Sequence, residues 1–245
     1  MLFRSLLAKT IVTVHATADR MRHATPQTFG ASHTTIGITD LMTSLAIVFI
    51  LLFAAQITKT SSSSQSELQE NKEDVQSALR DHIQRLGLSL DADPRDPLAL
   101  VIVVPEDRLT FEFGKSSLSP TADRFLEDAL PFYVGALCGP LRNKIDSLAI
   151  EGHTDDQGSD AFNLKLSQER SLAVMVKGLE IIQATEPRVY QCFQEIASAS
   201  GRGKQDLIYA PVATVNREKS RRVIFKIRLR SAEQRHLVER SINPL

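Results

Sequence analysis

The hydrophobic pattern of the chain is dominated by one apolar run, residues 36–57, which contains a single charged residue, Asp40. As one helix this run is long enough to cross a hydrocarbon core of about 30 Å. A cleaved signal peptide would have a shorter apolar stretch close to the N-terminus, whereas this run begins after about 35 residues. We therefore predict that residues 36–57 form a retained transmembrane helix.

The charges on either side of the run predict its orientation. The flank before it is basic, with Arg4, Lys9, Arg20 and Arg22. The flank after it has Lys59 followed by an uncharged stretch of serines. Because positively charged flanks stay inside, residues 1–35 are predicted to be cytoplasmic and everything after Ile57 to be exported.

Residues 58–97 are predicted to be a linker. They begin with the serine stretch and end in DADPRDP, and both segments are rich in turn formers and mark boundaries. Between these boundaries apolar residues recur at mostly three- and four-residue intervals, at Leu68, Val75, Leu79, Ile83 and Leu86. This spacing predicts a helix with a narrow apolar stripe. Such a stripe suits either pairing with a twin helix or packing back on the domain that follows.

The rest of the chain alternates between strands and helices, which is typical of a two-layer α+β domain with one core. LALVIVV and LTFEF predict an early strand pair around a turn at Pro105, Glu106 and Asp107. Ser119 and Pro120 predict the N-cap and first position of a helix. A strand LAIEGHT, a loop DDQGSDAFN, a helix LSQERSLAVMVKGLEII and a last strand RRVIFKIRL follow. We place this domain at residues 98–232 and a tail at 233–245.

Charge and residue types exclude several classes of function. The 29 Lys and Arg balance 29 Asp and Glu, and no basic stripe is present, so nucleic acid is not expected as a partner. The exported part has no nucleophile–base pair and no metal-ligand constellation, so we expect no enzyme, cofactor or metal. Cys138 and Cys192 form no CxxC pair. They would be small buried residues in a reducing compartment or one disulfide in an oxidising one.

Asp40 is open to two interpretations. An ionised carboxylate at membrane depth costs about 2.5–3.5 kcal/mol, so it has to be protonated, paired or next to water. Alternatively, Thr39 or Asp40 only caps the helix at the membrane interface. The segment ITDLMTSLAIVFILLF resembles the transmembrane helix of MotB-type stator subunits, whose aspartate binds the proton of an ion-driven motor. The resemblance implies that proton-binding role for Asp40.

The most specific motif is EGHTDDQGSDAFNLKLSQERSLAV, which resembles the peptidoglycan-binding core of the OmpA-like family. The family pattern runs GHTD, then Gly, then Asn, then LSxxRA, and Ser171 replaces the usual alanine. The matching residues are Gly152, His153, Thr154, Asp155, Gly158, Asn163, Leu166, Ser167 and Arg170. The resemblance covers about residues 98–229 and implies a mixed sheet packed by helices.

The same resemblance implies which residues bind. Asp155 and Arg170 would hold the zwitterionic end of diaminopimelate in the peptide stem, with Asn163 supporting the loop and Thr154 beside them. An ammonium and a carboxylate on one carbon need an anionic and a cationic partner, and the planar fork of arginine suits a carboxylate. The alternative is a structural ion pair between Asp155 and Arg170. We also expect Ser167 to be an N-cap, which would place Arg170 in the first helical turn.

Five other residues have weaker assignments. His153, leaving a strand, is expected to be a hydrogen-bonded packing residue rather than a ligand or base. Arg221 and Arg222 either close one side of the site or face solvent. In an exported domain, Cys138 and Cys192 lie at ends of elements that could meet, and we predict that they form a disulfide.

Together the resemblances imply a subunit of a proton-driven motor in the bacterial inner membrane, anchored to peptidoglycan. It would be a homodimer inside a ring of a multi-helix MotA- or ZorA-like partner, in a 5:2 ratio by analogy with the family. The helix TDLMTSLAIVFILLF looks most similar to the ZorB-type components of Zorya anti-phage systems, and a flagellar MotB-type stator is the alternative. The hypothesis from a different class is a passive peptidoglycan tether, in which Asp40 only caps its helix.

Overall fold

The computed structural model describes residues 33–111, 115–211, 213–231, 233–235 and 237. The chain forms two compact units, Met1–Ala54 and Ala55–Leu245. Most of the predicted cytoplasmic segment, most of the predicted C-terminal tail and the side chain of Asp40 lie outside the described residues.

The first unit contains the beginning of a long helix, α1, which spans His33–Arg85. The large apolar side chains described between residues 41 and 53 are 50% to 70% exposed. Within the described part of the chain, no helix has the length and apolar character needed to cross a membrane. The backbone of α1 stays helical through the serines at 61–64, where the sequence predicted a boundary. Serine is less favourable than alanine in a helix by only about 0.5 kcal/mol, so a short serine run does not end one.

The second unit continues from α1 into alternating strands and helices. Its elements are β1 (Leu90–Ala92), β2 (Ala99–Pro105), α2 (Pro120–Cys138), β3 (Ile145–His153), α3 (Asp160–Thr185), a 3₁₀ turn (Pro187–Val189), α4 (Tyr190–Ile196), β4 (Ala197–Gly203), α5 (Arg217–Ser220) and β5 (Arg222–Leu229). This order confirms the expected α+β class.

A five-stranded sheet in the order β1-β2-β5-β3-β4 forms one layer. Strands β3 and β4 are parallel and the other pairs are antiparallel, so the expected mixed sheet is confirmed. The predicted pairing of LALVIVV with LTFEF is wrong. All of β2 pairs with β5, and Phe111 forms only an isolated bridge to Leu118. β2 lies between β1 and β5 in the sheet, so β1 and β5 occupy its two edges and the segment after the turn does not pair with it.

Helices α2 and α3 pack on each other, and α3 packs on β3 and β4. Ser119 caps α2 as predicted and accepts a hydrogen bond from the backbone N–H of Ala122 at 3.2 Å. Fully buried side chains from both layers meet between them, among them Leu126, Leu130, Ile150, Val174 and Ile182. Each such side chain contributes about 1.5–3 kcal/mol through burial, so this core is the main source of stability.

The apolar stripe of α1, which belongs to the second unit, packs on the α+β domain that follows it. This is one of the two arrangements the sequence left open. The stripe residues with at most 1% exposure are Val75, Leu79 and Ile83. Beside them the ring of His82 stacks on that of Phe132, with 4.2 Å between the ring centroids. The C-terminal part of α1 therefore belongs to the core of this domain.

A disulfide joins Cys138, at the end of α2, to Cys192 in α4. These are the two cysteines that the sequence predicted to pair. Their Cα atoms lie 5.9 Å apart, and 54 positions separate them in the sequence. The disulfide thus joins two helices of the helical layer, α2 and α4, that β3 and α3 separate in the sequence.

Candidate functional site

A cavity of about 530 Å³ opens where β3 ends and α3 begins. Its wall includes all four residues that the sequence predicted to bind: Thr154, Asp155, Asn163 and Arg170. Glu106, which follows β2, and Arg221, which precedes β5, complete the polar part of the wall. The fold therefore collects into one place residues that are more than 100 positions apart.

The helix that carries Asn163 and Arg170 begins earlier than predicted. Its N-cap is Ser159, whose hydroxyl accepts a hydrogen bond from the N–H of Phe162 at 3.2 Å. Ser167 lies inside α3, where its hydroxyl donates to the carbonyl of Leu164 and accepts from the N–H of Gly203, both at 2.9 Å. The prediction that Ser167 caps the helix is wrong, and Arg170 does not lie in the first turn.

Two glycines let α3 approach the sheet closely enough to form the cavity wall. A Cβ atom at Gly152 would collide with the backbone oxygen of Ser167. A Cβ atom at Gly201 would collide with the backbone nitrogen of Gln168. Helix and strands therefore meet backbone to backbone, and this contact sets the height of Arg170 above the sheet.

Asp155 is paired with Arg221 in this structure, and not with Arg170. The carboxylate Oδ2 of Asp155 lies 2.9 Å from Nη1 of Arg221. The same guanidinium donates through Nε to Glu106, and this hydrogen bond is the main reason why the pKa of Arg221 is raised. Arg221 thus closes one side of the site by bridging two carboxylates.

Arg170 is 7% exposed and has no carboxylate ion-pair partner among the described residues. Its Nε donates to the carbonyl of Lys115 at 3.1 Å, and its guanidinium carbon lies 4.9 Å from the centroid of the Phe111 ring. Burial lowers the pKa of Arg170, although arginine stays charged at neutral pH. A buried guanidinium held by a carbonyl and an aromatic face is suited to receive an anion.

The loop between β3 and α3 is held by hydrogen bonds within the site. Asn163 donates from Nδ2 to the carbonyl of Gln157 at 2.6 Å, and the N–H of Gln157 donates to Oδ1 of Asp155 at 3.0 Å. Gly158 has a φ of 86°, which favours glycine at the turn. Thr154 is 3% exposed, and its hydroxyl has no hydrogen-bond partner among the described residues. That unpaired hydroxyl in the cavity wall is available to a ligand.

His153 behaves as a packing residue, as expected. It is 2% exposed, and its Nδ1 lies 3.1 Å from the carbonyl of Gln205. Burial lowers its pKa to about 4, so it is neutral at physiological pH. Arg222, the other arginine that the sequence left open, donates to the carbonyls of Ser220 and Asp206 and therefore belongs to the fold.

Three further wall residues have no binding role predicted from the sequence. The sequence predicts a turn at Glu106, a strand at Phe111 and a loop at Phe162. All three line the cavity, and Phe162 is half exposed. The charge alternation in PEDR was the available signal for Glu106, but nothing local indicates that its partner lies 115 positions away.

Comparison with known proteins agrees with this fold. Residues 110–221 match the model of the OmpA family. Outer membrane protein P5 of Haemophilus influenzae is 42% identical over 67 residues, which are 27% of this chain and 17% of P5. Outer membrane protein A of Bordetella avium is 28% identical over 145 residues, which are 58% of this chain and 66% of that protein. The chain thus spans about a sixth of the length of P5.

Among solved structures, a MotB-like protein from Desulfovibrio vulgaris is 25% identical. The similarity covers 68% of this chain and 96% of that chain, with a TM-score of 0.50. The chain therefore contains an OmpA-like α+β domain, and a MotB-like protein is among its structural neighbours.

Proposed function

We propose that the cavity binds the diaminopimelate residue of the peptidoglycan stem peptide and so anchors the chain to the cell wall. The observation that carries this proposal is Arg170, a buried cation with no carboxylate partner among the described residues, in the same cavity as Asp155. Burying an unpaired charge costs stability. An anionic ligand group would pair with the buried guanidinium and offset this cost, so the cavity is suited to such a ligand.

The chemistry of the cavity wall matches the end of diaminopimelate. Its carboxylate would accept hydrogen bonds from the terminal nitrogens of Arg170, and its ammonium would donate to Asp155. The unpaired hydroxyl of Thr154 supplies a further hydrogen bond. Asn163 acts indirectly, because its hydrogen bond to Gln157 holds the loop that presents Asp155.

At the level of the whole chain, the proposed function is a stator-type subunit of a proton-driven motor in the inner membrane. Residues 36–57 would be its transmembrane helix, with the N-terminus cytoplasmic, the domain periplasmic and Asp40 binding the proton. The sequence resemblance to MotB-type helices supports this, as do the exposed apolar side chains between residues 41 and 53. Two copies would work inside a ring of a MotA- or ZorA-like partner, and the likeness to ZorB-type helices favours a role in anti-phage defence.

The anchoring step is tested by sedimenting the detergent-solubilised full chain with purified peptidoglycan sacculi. Wild type is expected to sediment with the sacculi, and Asp155→Ala and Arg170→Ala to stay in solution. Asp156→Ala is the matched control, because this neighbouring carboxylate pairs with Arg217 and does not line the cavity. If Asp155→Ala and Arg170→Ala sediment as wild type does, peptidoglycan binding at this cavity is wrong.

The motor step is tested by plaquing efficiency of phage on cells that carry the gene with its natural neighbours. Asp40→Asn is expected to abolish protection at matched expression, and Asp40→Glu, which keeps a carboxyl group, to retain part of it. Asp155→Ala is expected to abolish protection as well, because the motor needs its anchor. Full protection by Asp40→Asn would favour the passive tether. If wild type gives no protection, the role in defence is wrong, and swimming motility becomes the assay for the flagellar alternative.

A further inference from the structure

The charged residues of the cavity wall balance one another. Of the described residues that line the cavity, Glu106 and Asp155 are acidic, and Arg170 and Arg221 are basic. Their formal charges sum to zero, which is also the net charge of an amino-acid end with one ammonium and one carboxylate. The four charges are not distributed as two separate ion pairs.

Three of these charges form one group. The guanidinium of Arg221 lies between the two carboxylates, with Nη1 2.9 Å from Oδ2 of Asp155 and Nε bonded to Oε2 of Glu106. This group carries a net charge of −1. The fourth charge, on Arg170, makes no ion pair with a described residue, and its Nε bonds to a carbonyl. The cavity therefore has one wall of negative charge and one of positive charge.

We propose that Glu106 is a specificity-determining residue that makes this cavity select zwitterionic ligands over simple anions. It shares Arg221 with Asp155, so that Asp155 is not neutralised and can still attract the ammonium of a ligand. This inference rests on the proposed function of the cavity, and it concerns a residue that needs no contact with the ligand itself.

The consequence of removing Glu106 follows from the same charges. Without it, Asp155 and Arg221 form a neutral one-to-one pair, and the charges of the described wall residues sum to +1, from Arg170. The ammonium of the ligand then loses its attraction, whereas the carboxylate keeps its partner. Removing Arg221 as well returns the acidic wall to −1 through Asp155 alone. The double variant therefore restores the original charge pattern.

The test compares two tripeptides, L-Ala-γ-D-Glu-meso-diaminopimelate and the same peptide ending in 2-aminopimelate, which lacks the second amino group. Binding of both to the detergent-solubilised full chain is measured by calorimetry at low salt. Wild type is expected to bind the diaminopimelate peptide more tightly than the 2-aminopimelate peptide. In Glu106→Gln the ratio of the two affinities should be about tenfold smaller, chiefly because the diaminopimelate peptide binds more weakly. Asp107→Asn is the matched control, because it removes the same charge from an exposed neighbouring residue that does not line the cavity.

The double variant Glu106→Gln with Arg221→Gln separates specificity from structural damage. It is expected to recover most of the preference lost in Glu106→Gln, whereas two independent structural defects would add to each other. Unchanged preference in Glu106→Gln, or no recovery in the double variant, overturns the role of Glu106 and leaves the anchor intact. If wild type binds neither peptide, the proposed function is wrong and this inference is wrong with it.

Discussion

The two ends of the OmpA-like domain differ in the interactions that dominate them. Strands β3 and β4 run in parallel towards the cavity, whose wall contains four charged side chains and the hydroxyl of Thr154. Among the described residues, one of the four, Arg170, has no carboxylate partner, and the Thr154 hydroxyl has no hydrogen-bond partner. At the other end, α2 finishes at Cys138, which the disulfide ties to Cys192. Beside this end, the apolar residues of α1, α2 and α4 join one core.

The disulfide end therefore contributes mainly to stability, and the cavity end to ligand recognition. Apolar burial and a disulfide stabilise the folded chain without regard to any ligand. Buried charges with incomplete partners stabilise little, but they are already arranged for a ligand that completes them. Substitutions at the two ends should therefore separate the free energy of unfolding from the affinity for peptidoglycan.

The largest effect on stability is expected from removing the disulfide. The double substitution of Cys138→Ser and Cys192→Ser opens a loop of 54 positions, and loop-closure entropy predicts a loss of about 4 kcal/mol. Urea denaturation of the full chain in detergent measures it, with reductant added to wild type as the matched control. Sacculus binding of the fraction that remains folded should be unchanged, and a loss of binding would break the separation between the two ends.

Truncating a buried side chain in the apolar stripe of α1 is expected to have the next largest effect on the free energy of unfolding. Leu79 is completely buried, so Leu79→Ala should lower the free energy of unfolding by about 3 kcal/mol. Arg80→Ala, at the exposed neighbouring position, should change it by less than about 0.5 kcal/mol. If the two variants are equally stable in urea, α1 does not belong to the core in solution.

The free energy of unfolding should also decrease as the pH is lowered, because of His153 at the cavity end of the domain. Its pKa is lowered by burial to about 4, whereas an unfolded histidine binds a proton below about pH 6.5. Between these values the unfolded chain binds more protons, so stability is full above pH 6.5 and is lost as pH falls towards 4. The contribution is at most about 3 kcal/mol, from 1.36 kcal/mol per pKa unit.

Urea denaturation of wild type and His153→Gln between pH 7.5 and 4 measures this contribution. The difference in stability between the two proteins should shrink as the pH falls. His82 acts in the same direction, since its pKa is lowered by burial and by Arg85, but it is present in both proteins and cancels. A difference that does not change with pH would contradict the assignment to His153.

Replacing either cavity arginine, Arg170 or Arg221, is expected to have the smallest effect on the free energy of unfolding. The two replacements should change it in opposite directions. Arg170→Met removes a buried cation that has no carboxylate partner in the described part of the chain, so the free energy of unfolding should stay unchanged or rise by about 1 kcal/mol. Arg221→Met leaves two carboxylates without their cation and should lower it by about 1 kcal/mol. Thermal melts of both variants measure the contrast, and a clear loss in Arg170→Met would mean that this arginine is structural.

The sequence predicted local features better than distant pairings. The cap at Ser119, the strand before His153 and the last strand are correct, because short-range residue patterns determine them. The start of α3 was misplaced, because Ser159 and Ser167 are both good N-cap residues and only the first has free helical N–H groups beside it. Local pattern alone does not choose between two such candidates.

The candidate site shows the same limit. The resemblance to the OmpA-like motif implied a shared site for Thr154, Asp155, Asn163 and Arg170, and these four residues line one cavity. The partner of Asp155 was not predicted, because Arg221 arrives from β5 only once the sheet order is known. Glu106 was missed for the same reason, since its role depends on a side chain at the far end of the sequence.

The close contact of α3 with Gly152 and Gly201 has a consequence for how this domain tolerates mutation. A random library screened for loss of wall binding should return these two glycines as often as the residues that touch the ligand. Even alanine would push α3 away from the sheet and carry the guanidinium of Arg170 with it. Wall binding should thus depend as strictly on two positions without a side chain as on the residues that touch the ligand.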